Sequence, residues 1–252
     1  MSGTLFLVPN GLDVGTADAE VDLRERLPFG TLRVAARLDH WVCENAKTTR
    51  AFLKRVDVAC RLGRPLQEIG IVELPRPPKG RSDPSPFDAS RLLAPALAGS
   101  DVGLVSEAGL PAVADPGAQL VAAAHAAAVR VVALPGASSI TLAVAASGLN
   151  GQSFAFVGYL PIEIEARNTR IRELESVSRR LAQTQVAIET PYRNPALLAA
   201  LVAQLQPTTV LSVSVGLTLA SEATRSTTIA LWRAEPGSVA ADVPAVFAWL
   251  AR

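Results

Sequence analysis

Short apolar runs punctuated by turn residues, alternating with stretches of helical spacing, extend along the whole chain. Thr4 to Val8 (TLFLV) predicts a strand that stops at Pro9-Asn10-Gly11, a strong turn sequence. Asp18 to Leu27 reads as a polar, charged helix and Thr31 to Ala36 as a strand. Glu44 to Leu62 carries Phe52, Leu53, Val56 and Ala59 or Cys60 at helical spacing, with Lys and Arg on the other face, and Ile71 to Leu74 is a short strand. Val102 to Val105 and Val131 to Leu134 are apolar strands, each followed by a loop of small residues and then a helix. The first of these helices, Gly117 to Ala128, is alanine-rich, with Asp115 suited to the N-cap and Pro116 to the first turn. The second carries Ile140, Leu142, Ala143 and Val144, and Ser138 or Ser139 can cap it.

Gly148-Leu149-Asn150-Gly151 is a turn-rich hinge, so the expected domains are residues 1–149 and 150–252. The second reads as five strands with two helices: SFAFVGYL, TQVAIET, TVLSVSVG, STTIALW and AVFAWLA, with Ile164 to Ala182 as an arginine-rich helix. Its last three strands lack long helices between them, which predicts antiparallel pairing and a mixed sheet. The fold class is therefore α/β: an N-terminal five-stranded, largely parallel sheet with helices, then a C-terminal five-stranded mixed sheet.

Ligands of open parallel sheets bind outside the carboxyl ends of the strands, where the small-residue loops lie. Gly103, Gly109 and Gly136 leave room there for backbone to approach a ligand, although ordinary strand-to-helix connections use the same residues. Neither a G-x-G-x-x-G nor a G-x-x-x-x-G-K-[ST] sequence is present.

Composition narrows the chemistry. Two cysteines and two histidines among 252 residues, without metal-ligand spacing, predict no metal and no disulfide. No apolar stretch reaches membrane-spanning length and the first residues lack a basic signal region, so a cytoplasmic protein is expected. The net charge is only +1, but Asp22 to Arg91 holds fourteen Lys and Arg against nine Asp and Glu, a local excess of five. That is either a phosphate-facing surface or an ordinary solvated face. Glu73 to Asp88, with five prolines, is a long loop whose Arg76, Lys79 and Arg81 either contact a polyanion or simply decorate a surface connection.

Three ordered motifs, SEAGLPAVADPG, VVALPGASS and SFAFVGYLP, together with FLVP, ENAKTTRAFLKR and IETPYRN, resemble the tetrapyrrole methylase superfamily, and within it the small-subunit ribosomal RNA 2′-O-ribose methyltransferases. The resemblance covers most of the chain. It implies two α/β domains with S-adenosylmethionine folded into the cleft between them. Pro9, then Ser106, Glu107, Ala108 and Gly109, then Ser138 and Ser139, stand where the family meets its cofactor from the first domain. Gly158, Tyr159 and Leu160, with Thr190, Pro191 and Tyr192, stand at the corresponding strand ends of the second, and Pro244 and Ala245 resemble its backbone contact to adenine.

Methyl transfer from a sulfonium is an in-line displacement, so the protein must align the acceptor and exclude water rather than supply a strong nucleophile. The resemblance points to Glu44 and Arg193 as the catalytic candidates; pairing of Glu44 with Lys47 or Arg50 is the structural alternative. The implied substrate is ribosomal RNA and the implied assembly a homodimer. The substrate-side motifs depart from that branch, with NGLDVGTADAE after the first strand, Glu44-Asn45 for an acidic pair and Lys47 for an arginine. A tetrapyrrole or other small-molecule acceptor, or a non-catalytic role binding cofactor or RNA, therefore stands beside the RNA reading.

Overall fold

A computed structural model describes residues 2–12, 21–75 and 88–252. They divide into two compact units, Met1–Ala137 and Ser138–Arg252.

The first unit is built on a five-stranded sheet in the order β3-β2-β4-β1-β5, from β1 (Thr4–Leu7), β2 (His40–Cys43), β3 (Gly70–Glu73), β4 (Val102–Val105) and β5 (Arg130–Ala133). Every pairing is parallel. Alternation along the strands sends Phe6, Val8, Trp41, Cys43 and Val105 to one face and Leu5, Val42, Val102 and Leu104 to the other. Helices α1 (Phe29–Arg37) and α2 (Ala46–Ala59) bury Leu32, Ala35, Phe52, Leu53 and Val56 on the first face. Helices α3 (Ser90–Leu97) and α4 (Ala118–Ala126) bury Leu92, Leu93, Ala96, Leu120 and Ala124 on the second.

This layering creates a switch point. The chain leaving β1 crosses by α1 on one face toward β2, and the chain leaving the adjacent β4 crosses by α4 on the opposite face toward β5. The loops after β1 and β4 therefore diverge, which is where open α/β sheets form a crevice at their carboxyl edge.

Several expectations are corrected here. Thr31 to Ala36 is not a strand but the middle of α1; burial of Thr31, Leu32, Ala35 and Ala36 follows a helical period that a six-residue window cannot separate from strand burial. The strand is His40–Cys43, with the Trp41 ring fully buried. The Asp18 to Leu27 helix falls partly outside the described residues, and its described part holds a short 3-10 turn, Leu23–Glu25. The proline-rich stretch, including Arg76, Lys79 and Arg81, lies largely outside the described residues.

The second unit has a sheet ordered β6-β7-β10-β8-β9, from β6 (Phe154–Tyr159), β7 (Thr184–Ile188), β8 (Val210–Val215), β9 (Ala223–Thr228) and β10 (Ala245–Leu250). Only β6 and β7 pair in parallel; the other three pairings are antiparallel, giving the mixed sheet. Helices α6 (Ile164–Leu181), α7 (Asn194–Gln204) and α8 (Ile229–Ala234) pack Ile171, Leu174, Leu197, Leu201 and Trp232 against Leu211, Phe247 and Trp249. STTIALW is thus only half strand: Thr228 ends β9 and its hydroxyl caps α8 by accepting from the Leu231 N–H.

Helix α5 (Ser139–Ser147) belongs to this unit, packing on β8, β9 and β10, where the Ser226 hydroxyl donates to the Ser147 carbonyl at 2.6 Å. The division therefore falls at Ala137/Ser138 and not at the Gly148–Gly151 turn, because α5 packs on the second sheet.

Candidate active site

In the first unit the divergent loops are stapled together. Asn10, 3% exposed, donates its amide nitrogen to the carbonyls of Glu107 at 2.9 Å and Ser106 at 3.4 Å, while its side-chain oxygen accepts from the Gly11 N–H at 2.8 Å. Its backbone N–H donates to the Gly109 carbonyl at 2.9 Å, closing an isolated bridge between the two loops. Asn10 was legible only as a turn residue; its cross-loop partners lie almost a hundred positions away.

The loop beyond β4 is held in unusual backbone geometry. Gly109, Ala112, Ala114 and Gly117 all have positive φ (66°, 65°, 64° and 127°). A non-glycine residue in that region costs roughly 1 kcal/mol, and such strain collects at sites where the surroundings dictate the backbone. Gly117, not Asp115, precedes α4, so the expected acidic N-cap is replaced by a glycine turn. That frees Asp115 to point elsewhere.

Asp115 joins Glu44 and Glu107 around Ser106. Glu44, at the end of β2, accepts from the Glu107 backbone N–H at 2.9 Å instead of pairing with Lys47 or Arg50. Burial, followed by the repulsion of Glu44, pushes the Asp115 carboxyl up to about 6; the adjacent Ser106 hydroxyl pulls it down and Glu107 adds further repulsion. Burial likewise raises Glu44, offset by the Glu107 N–H. Among the described residues no cation pairs with any of the three, and no group of His, Cys, Asp or Glu is disposed to hold a metal ion.

Two of the three glycines expected to admit a ligand serve packing instead. A Cβ on Gly103 would stand 2.8 Å from the Trp41 ring, and one on Gly136 would stand 2.3 Å from Pro9. Gly136 thereby seats Pro9 beside the loop after β5. Only Gly109 has its backbone conformation as the reason for glycine, with Leu12 as its nearest neighbour at 3.3 Å.

The second unit gathers its own candidates at one sheet edge. Gly158, Tyr159 and Leu160 close β6, and Thr190, Pro191, Tyr192 and Arg193 follow the parallel neighbour β7. Antiparallel β10 starts at the same edge, because Val246 pairs with Ile188, so Pro244 and Ala245 lie beside the loop after β7. Gly158 sits at a β-bulge with φ of 71° and open space where a Cβ would be, so its requirement is conformational. Ser138 precedes α5 as its N-cap residue, with Ser139 the first helical residue, but the Ser138 side chain makes no capping hydrogen bond.

Arg193 is fixed by a neighbouring carboxylate four residues earlier in the chain. Glu189, 7% exposed, meets the Arg193 guanidinium at 2.5 Å with one oxygen and accepts the Thr190 N–H at 2.8 Å with the other. The Glu189 carboxylate in turn holds the Arg193 guanidinium more firmly protonated. Asn194, fully buried, ties this loop to the approach of β10 by donating to the Val243 carbonyl at 3.0 Å.

Residues 25–231 match the family Tetrapyrrole (Corrin/Porphyrin) Methylases, which is most of the chain and spans both units. The chain belongs to this family. Among individual relatives of this tetrapyrrole methylase, the Ribosomal RNA small subunit methyltransferase I of Micromonospora olivasterospora is 33% identical over 205 residues, which is 81% of this chain and 56% of that protein. The proteins of the same name from Halalkalibacterium halodurans and Mesorhizobium japonicum are 29% and 32% identical, over 76% and 69% of this chain and 56% and 53% of theirs. The methylase chain thus spans about half the length of the curated relatives it matches.

Two solved structures share the methylase fold. The uroporphyrin-III-C-methyltransferase of Thermus thermophilus superposes with a TM-score of 0.52 at 20% identity, covering 99% of this chain and 93% of that one. The conserved hypothetical protein APE0931 of Aeropyrum pernix K1 gives 0.61 at 19%, covering 100% and 86%.

Proposed function

We propose that this tetrapyrrole methylase is an S-adenosylmethionine-dependent methyltransferase that modifies ribosomal RNA at a ribose 2′-hydroxyl. The observation that carries the reading is the stapled switch point: Asn10 holds the loops after β1 and β4 together, and Glu107 and Asp115 of the β4 loop meet Glu44, which follows β2, with no cation paired to the three among the described residues. Such a site suits a cationic ligand, and S-adenosylmethionine bears a sulfonium and an ammonium. The relatives' name, Ribosomal RNA small subunit methyltransferase I, supports the acceptor.

The residues present fit this cofactor. Ser106, Glu107, Ala108 and Gly109 are the residues that would hold its cationic end, with Pro9 shaping the neighbouring loop, and Ser138, Ser139, Gly158–Leu160, Thr190–Tyr192, Pro244 and Ala245 are the further candidates. When bound, the cofactor supplies an electrophilic methyl group. The chain's work is then to hold the acceptor oxygen in line, exclude water and take up the proton that oxygen loses. Glu44 is the proposed acceptor of that proton, since a carboxyl raised by burial is a better base than an ordinary surface carboxylate. Arg193, immobilised by Glu189, is the proposed cation that steadies the acceptor. A homodimer acting in the cytoplasm completes the proposal; no helix among the described residues is long and apolar enough to cross a membrane.

The test is calorimetric titration with S-adenosylmethionine followed by transfer of a tritiated methyl group to unmodified small ribosomal subunits. Binding with RNA labelling is the expected result. Binding without labelling would redirect the search to small acceptors, and absence of binding would overturn the proposal.

A further inference from the structure

The basic residues of the first unit are not equivalent. Arg24, Arg37 and Arg64 are paired with Asp22, Asp101 and Asp39. Arg55, half-buried, donates to the Val21 carbonyl at 2.9 Å and is thereby turned inward. Lys47, Arg50, Lys54 and Arg61 are exposed, and among the described residues none of them forms an ion pair.

Three of these share one line. At 100° per residue, Lys47, Arg50 and Lys54 fall within an arc of about 60° on α2, opposite the buried Thr49, Phe52, Leu53 and Val56, and Arg61 follows in the turn beyond the helix end at Ala59. The helix rise of 1.5 Å per residue spreads the three charges over about 10 Å, and Arg61 extends them past the helix end. The nearest acid, Asp57, lies just beside the arc and accepts the Leu62 N–H at 2.8 Å, so it serves the turn after the helix.

Helix stability does not account for the arrangement. Lys47 and Arg50 occupy the first turns, where the helix dipole disfavours positive charge, and α2 has no acid of its own in its first turn. The amides there are served instead by Asn45, which accepts from the Lys47 and Thr48 N–H groups, and by Glu73 of β3, which accepts from the Ala46 N–H at 2.8 Å. The long arginine-rich helix α6 is different: its Arg170 pairs with Glu173, Arg172 donates to Gln204, and Arg179 and Arg180 sit in the last turn, where the dipole favours them.

Position supplies the remaining argument. The ridge starts three residues after Glu44, at the edge carrying the acidic loop cluster, and ends at a cavity of about 450 Å³ lined by Lys54, Arg61 and Arg64 together with Asp57. We infer that the exposed ridge of α2, Lys47-Arg50-Lys54, with Arg61 just beyond the helix end, is a docking surface for the phosphate backbone of RNA, leading the substrate strand toward Glu44. This inference rests on the RNA-methyltransferase reading. Charge complementarity selects a polyanion, and the continuity with Glu44 selects the substrate itself.

The experiment uses the full chain, an in-vitro-transcribed small-subunit ribosomal RNA and a quadruple variant, Lys47→Gln, Arg50→Gln, Lys54→Gln and Arg61→Gln. RNA affinity is measured from 50 to 300 mM salt, alongside S-adenosylmethionine affinity and methyl transfer. The variant should bind RNA at least tenfold more weakly at low salt and lose about 3 from the slope of log K against log [salt], since each phosphate contact contributes about 0.7. Its cofactor affinity should match wild type, which also verifies folding. Arg179→Gln/Arg180→Gln on α6 should change neither RNA quantity.

Unchanged RNA affinity and slope in the cofactor-binding quadruple variant, while wild type labels RNA, would overturn the ridge and leave the enzymatic reading intact. Ridge-dependent RNA binding with no methyl transfer by wild type would sink the enzymatic reading and leave the ridge standing. An equal loss on duplex DNA of the same length would overturn the assignment to RNA, and no RNA binding by wild type would overturn both.

Discussion

Glu189, at the end of β7, meets Arg193 at 2.5 Å and so carries its own counter-charge, whereas Glu44, Glu107 and Asp115 crowd one loop edge of the first unit without a cation among the described residues. The two loops occupy equivalent positions on their sheets, at the carboxyl ends of parallel strands, yet one is electrostatically complete and the other is not. A completed loop can hold a side chain in place. An uncompensated loop edge stores repulsion that a cationic ligand relieves, which is the physical basis for proposing that the cofactor's cationic end meets the first unit and that Arg193 of the second has a positioning role.

The most severe way to break this contrast is to fill the uncompensated loop. Gly109→Trp should abolish S-adenosylmethionine binding, a loss of at least about a hundredfold by calorimetry, with the far-ultraviolet circular dichroism of a folded protein. Unchanged affinity in the folded variant would mean that the loop after β4 is not where the cofactor binds.

A smaller change loosens the loop without filling it. Asn10→Ala removes the staple and leaves the buried Ser106 carbonyl and the part-buried Glu107 carbonyl short of a donor, at a cost of about 2 kcal/mol, or roughly 5 °C in Tm. A Tm within 1 °C of wild type would show that the two loops keep their places without it.

The finest test is pH. Because the Asp115 carboxyl is raised from 3.8 to about 6 in the folded protein, the native state binds its proton more tightly than the unfolded chain. Stability from this group is therefore lost as pH rises from about 4 to 6, and a cationic ligand should bind more tightly over the same rise. Cofactor affinity should increase severalfold between pH 5 and pH 7 in wild type, and Asp115→Asn should flatten both the affinity profile and the stability loss. The same slope in both proteins would remove Asp115 from the site.

The contrast between the loops was only partly legible in the chain. The runs of β1, β4, β5, β6, β7, β8 and β10 declared themselves as short, largely apolar segments bounded by turn residues, continuous where the strand is buried on both faces, as in β4. The strand expected at residues 31–36 is α1, and the strand β2 lies just after it: residues 31–36 have a burial period shared by short helices and strands, and the choice depends on a sheet partner, β4, some sixty residues downstream. Of the site, the loop after β4 was legible from small residues and turn chemistry, and the loop after β7 from the resemblance of IETPYRN. The staple by Asn10, the turning of Asp115 away from α4 and the fixing of Arg193 by Glu189 were not.

The sequence by itself determined the two-sheet α/β architecture, the strand-end loops and their family, since periodicity, turn residues and motif order are local properties of the chain. Tertiary structure decided which glycines pack and which bend, which arginines are paired and which are left on a ridge, and which carboxylates repel one another. Those properties depend on distances between residues remote in sequence, as with Asn10 and Glu107 or Gly136 and Pro9, and no local pattern encodes them.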